Sequence, residues 1–165
     1  MFDPFFAWLE SSAARAWIVE SPSLFAFPGI LAAHTIGLAF LAGPAIALDL
    51  RLLGAARGIP PLAFARLRPV MWFGLWLNVL TGLALVLAYP TKALTNPVFY
   101  LKLGLIAGGL LMLREALLRV RQGSMASGGT RGLAVLSILA WTAAIAAGRL
   151  LAYTCTRLTV GSLCE

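Results

Sequence analysis

Between Glu20 and Asp49 the chain carries no charged side chain. A bilayer core is crossed by about 20 consecutive apolar residues, so residues 27–48 are long enough to span one. The same pattern recurs three times. Residues 70–89 lie between Arg68 and Lys92. Residues 98–118 hold Lys102 near one end and Arg114 with Glu115 near the other, where long side chains reach the headgroups. Residues 132–153 have Arg149 close to their far end. Only 12% of the 165 residues are charged, against about 25% in an ordinary soluble domain, and the mean hydropathy is +0.90. Lipid is the expected solvent.

Ahead of the first span, Asp3-Pro4 reads as a helix start. Phe5, Phe6, Trp8, Leu9, Ala13, Ala16 and Trp17 then recur at helical spacing. This segment is too polar to span and is expected to lie in the interface as one amphipathic helix to about Val19, ended by Ser21-Pro22. Its start, MFDPFFAWLE, lacks the basic region of a secretory signal. The expected fold is therefore all-α: a polytopic membrane protein with four transmembrane helices in an up-down bundle. The expected organisation is an interfacial helix over 1–20, a transmembrane domain over 21–154 and a short tail over 155–165.

The formal net charge is +7. Nucleic acid is not the implied partner, because the basic residues sit in short loops between apolar runs and form no basic face with stacking aromatics. They mark topology instead. The loop after the first span holds Arg51, Arg57, Arg66 and Arg68, and the loop after the third holds Arg114, Arg119, Arg121 and Arg131. The opposite side holds Arg15, Lys92, Lys102, Arg149 and Arg157. Eight against five places both termini outside, which in a bacterial inner membrane is the periplasm. Cys155 and Cys164 then fall in an outer tail where a disulfide is permitted.

An ionisable group within a span is expensive, so it is a functional candidate that needs a named partner. His34, the chain's one histidine, lies about six residues inside Pro28, or roughly 9 Å into the core at 1.5 Å per residue. The same level falls near Gly82, Gly104 to Gly108, and Ala147-Gly148. Such a layer of small residues permits a haem b with His34 as axial ligand and with Lys102 and Arg149 on its propionates. It equally permits close helix packing, with the imidazole bonded to a hydroxyl or carbonyl. A second protein ligand is missing unless a homodimer supplies another His34. Asp49 is expected to pair with Arg66, Arg68 or Arg114, and Glu115 with Arg119 four residues on. Asn78 and Thr81 are candidates for bonds across helices, and Trp76 and Trp141 for packing. Small residues four apart (Ala33/Gly37, Gly43/Ala47, Gly104/Gly108, Ala144/Gly148) let helices approach closely. No catalytic grouping, phosphate loop or paired carboxylates appear.

Taken in order, Glu20-Ser21-Pro22, His34-x-x-Gly37, Asp49-Leu50-Arg51-Leu52-Leu53-Gly54, Trp72-x-Gly74, Thr81-Gly82 and Asn96-Pro97-x-Phe99-x-x-Lys102 resemble a bacterial family of small integral membrane proteins, a domain-of-unknown-function family. The resemblance covers about residues 20–120 and implies a four-helix inner-membrane protein without assigning an activity. The family pattern carries a further His near the inner end of the third helix, where this chain reads Leu113-Arg114-Glu115-Ala116. Three functions remain open: a non-catalytic membrane subunit or scaffold working on itself or a membrane-complex partner, a haem-binding electron carrier, and a small permease or proton pathway through His34, Asn78 and Asp49.

Overall fold

In the computed structural model, residues 3–123 and 127–153 are described, and every regular element among them is helical. The order is α1 (Asp3–Glu10), α2 (Ala13–Glu20), α3 (Phe27–Leu52), a 3-10 helix η1 (Pro61–Leu67), α4 (Arg68–Ala88), α5 (Pro90–Leu94), α6 (Pro97–Arg121) and α7 (Gly128–Tyr153). Cys155 and Cys164 lie outside the described residues.

The breaks have local causes. The N-terminal segment is two helices rather than the expected one. Ser11 donates its hydroxyl to the Trp8 carbonyl, and Ser12 accepts from the Arg15 amide as the N-cap of α2. Serine side chains compete with the helix ladder in this way. Ser21, held extended by Pro22, ends α2. Asn96 caps α6 by accepting from the Val98 amide, with Pro97 in the first turn. The Asp-Leu-Arg-Leu-Leu-Gly string is also a helix end. Gly54, at φ +108°, lets its own amide reach the Arg51 carbonyl and the Ala55 amide reach that of Leu50, the paired closure of a glycine C-cap. Arg51 then ties down the following loop through the Ile59 and Arg57 carbonyls.

Helix α3 is central. It packs along α4 on one side and α7 on another, and α7 packs along α6. At the α3/α4 crossing two backbones touch: a Cβ on Gly74 would stand 2.7 Å from the Gly37 carbonyl oxygen, and one on Gly37 2.9 Å from the Asn78 nitrogen. On the other side Trp141, fully buried, lies against Gly109. Around Trp141 sits a core of Leu41, Leu48, Leu52, Met71, Leu113 and Val120. Trp76 does not join it: this ring is 58% exposed on the outside of α4.

Three stretches are long and apolar enough to cross a membrane: Phe27–Leu52, Pro61–Ala88 and Gly128–Leu151. Helix α6, with 25 residues, matches them in length but carries charges at both ends. The outward surface of these helices is rich in large apolar side chains. Leu80 and Leu83 on α4, Leu111 on α6 and Leu136 and Leu139 on α7 are 59–64% exposed. A contiguous apolar surface of this kind suits lipid and not water, and helices satisfy their own backbone groups there.

Candidate functional site

His34 stands one turn before Gly37 on α3, so the glycine crossing brings α4 close beside it. Its ring meets side chains from two other helices. Nδ1 lies 3.0 Å from the Thr81 hydroxyl oxygen of α4, and Nε2 lies 3.1 Å from the Lys102 ammonium of α6. Asn78, one turn before Thr81's neighbour Gly82, donates its amide to the His34 carbonyl at 2.9 Å.

The protons can be assigned from the donors. Thr81 has one hydroxyl hydrogen, and at 2.6 Å from the Leu77 carbonyl it is committed there. The hydroxyl oxygen therefore accepts from His34, which puts the imidazole hydrogen on Nδ1. Nε2 is left with a lone pair, and the three-donor ammonium of Lys102 gives to it. Lys102 reaches across α7 to do so: a Cβ on Gly148 would stand 3.6 Å from both its Cε and its Nζ. On the far side a Cβ on Gly82 would stand 3.3 Å from the ring. Glycine at these two positions leaves room for the lysine stem and the imidazole edge.

Half of the expected small-residue layer is thus real, and it is filled by protein. Gly82 and Gly148 face the His34–Lys102 pair, whereas Gly104 and Gly108 have no atom within 4 Å of where a Cβ would sit and point away from the bundle. As placed, His34 has no free nitrogen for an iron. Lys102 is on the imidazole and not turned outward for a propionate, and Arg149 is exposed on α7. The haem arrangement draws no support from this geometry. Among the described residues no three His, Cys, Asp or Glu come together to hold a metal ion.

Asp49 departs from its expected ion pair. It is 1% exposed, and neither carboxylate oxygen has a hydrogen-bond partner among the described residues. Arg51 is turned to loop carbonyls, and the side chains of Arg68 and Arg114 border a cleft between α4 and α6. The ion pair that does form is Glu115–Arg119 at 2.8 Å, as expected from the spacing. Ser137 of α7 lies beside Asp49, and its Oγ and the Trp141 Nε1 are likewise buried without hydrogen-bond partners among the described residues. Two signals for this second group stood in the sequence, the aspartate at a span end and the serine in the middle of an apolar helix, but nothing there joined them.

Comparison with family models, with curated proteins and with solved structures finds no match for this chain.

Proposed function

We infer that the protein is an integral inner-membrane helical bundle of four spans that acts as a non-catalytic subunit or scaffold, self-associating through the outer face of α6. One observation carries this reading: the intramembrane polar side chains at His34 are consumed in holding α3, α4 and α6 to one another, while Gly104 and Gly108 turn open, side-chain-free backbone outward. In lipid, association is driven by close backbone approach at such small residues. The arginine count supports cytoplasmic loops at η1 and between α6 and α7, with both termini periplasmic. The apolar rings of Trp8 and Trp17, 66% and 52% exposed, support an interfacial place for α1 and α2. The ordered motifs from Glu20 to Lys102 support membership of the resembled family.

The test is the oligomeric state of the full chain in nanodiscs or liposomes, read by single-molecule photobleaching at varied lipid dilution. The expected result is a dilution-dependent dimer that weakens at least tenfold in Gly104→Leu/Gly108→Leu. A monomer at all dilutions, or a dimer indifferent to that change, overturns the reading. A proton pathway is the runner-up, because Asp49 is a buried carboxylate with no hydrogen-bond partner among the described residues; that reading requires proton flux that disappears in Asp49→Asn.

A further inference from the structure

Helices α4 and α6 do not close on each other at the arginine-rich end of the bundle. Between them is a half-open cleft of about 430 Å³ with α3 as its floor, within the range of about 300–1,000 Å³ typical of ligand sites. Its lining is mostly apolar, with side chains such as Leu41, Leu75 and Leu113, and includes the exposed Arg68, Arg114 and Arg121. None of these three arginines forms an ion pair among the described residues; the acid nearest in sequence, Glu115, is taken by Arg119. On α6 the lining runs from Leu110 to Arg121, a rise of about 16 Å, which is about half of a 30 Å hydrocarbon core. The cleft thus has the depth of one leaflet, with Arg68 and Arg121 at its shallow end and Arg114 two turns deeper on α6, from where its long side chain can reach back toward that end.

We propose that this cleft is a binding site for an anionic phospholipid, with an acyl chain between α4 and α6 and the phosphate held by Arg68, Arg114 and Arg121. Arginine matches phosphate oxygens with paired N–H donors, and basic pockets between spans on the cytoplasmic side select anionic headgroups. A zwitterionic lipid brings its own ammonium to the rim and loses that advantage. The occupant is a bilayer lipid because the cleft lies between two helices whose outer surfaces are apolar. The inference rests on α6 being a span but not on the dimer, so the two fail separately.

The experiment is native mass spectrometry of the purified full chain after detergent exchange, titrated with phosphatidylglycerol or phosphatidylcholine. Two double variants remove equal charge from the same end of the bundle: Arg68→Gln/Arg114→Gln at the rim, and Arg57→Gln/Arg131→Gln outside the cleft. Leu110→Trp fills the cleft without altering charge, and thermal unfolding checks that each variant is folded. Phosphatidylglycerol should be retained at least tenfold better than phosphatidylcholine. The rim variant and Leu110→Trp should abolish that preference, and the Arg57/Arg131 variant should keep it. Equal retention of the two lipids, or equal loss in both double variants, overturns the site. Preferential retention of a prenyl phosphate added in competition overturns the assignment to a bilayer lipid.

Discussion

Helix α3 carries two polar side chains fifteen residues apart, His34 half-buried and Asp49 buried, and their surroundings are opposite. At His34 both ring nitrogens and the backbone carbonyl have partners, and the partner threonine is itself satisfied. At Asp49 both oxygens, the neighbouring Ser137 hydroxyl and the Trp141 indole nitrogen go without among the described residues. A complete polar network in a low-dielectric interior strengthens and specifies packing, whereas an incomplete one is a cost. The His34 end is therefore where the helices are locked in register. The Asp49 end is where the fold holds a group that costs stability, which is the usual mark of a group retained for something other than stability.

The largest expected effect separates the two ends by sign. Asp49→Leu removes an uncompensated carboxylate and should stabilise the bundle, by analogy with buried ionic groups replaced by apolar ones, by about 1–4 kcal/mol. Unfolding in mixed micelles with a denaturing detergent reads this. A destabilised variant would mean that an ion or ordered water completes the Asp49 site, and the contrast with His34 would vanish.

Next in size is Gly74→Ala. The new methyl would meet the Gly37 carbonyl and the Leu41 amide nitrogen, at 2.7 and 2.9 Å, and backbone cannot yield as a side chain does. A loss of about 1–3 kcal/mol is expected for such overpacking, together with loss of the Asn78–His34 bond. Gly43→Ala on the same α3, where the space is open, should change nothing in the same assay. Equal effects at the two glycines would remove the close crossing as the support of the His34 network.

The smallest effect in energy is the sharpest in detail. Removing one interhelical bond in lipid costs about 0.6–2 kcal/mol, but the imidazole reports its own bonding. Nitrogen NMR of His34 should show the hydrogen on Nδ1 and an Nε2 that accepts a hydrogen bond. In Lys102→Met the Nε2 signal should shift toward that of a bare imidazole nitrogen. A hydrogen found on Nε2 would reverse the assignment made from Thr81.

Much of the scaffold was legible from residue order. The low-charge intervals marked where the long apolar helices lie, Ser21-Pro22 marked a break, and Glu115–Arg119 paired as helical spacing requires. Trp76 was misread as packing because hydropathy measures how apolar a segment is and not which way a ring faces. Asp49 was misread because counting charges near a helix end does not say which way side chains point: Arg68 and Arg114, two of its expected partners, line the cleft between α4 and α6 instead. The Lys102–His34 contact joins residues 68 positions apart, and no local period encodes it.

What this sequence determined alone is where the long helices lie and which stretches tolerate lipid, because capping, proline sterics and transfer free energy act over a few neighbouring residues. Which faces of those helices meet was decided only by packing. The touching backbones of Gly37 and Gly74, and the room beside Gly82 and Gly148, turn an isolated histidine into the joint of three helices. Close approach in space depends on every side chain at the crossing together, and no single segment carries that information.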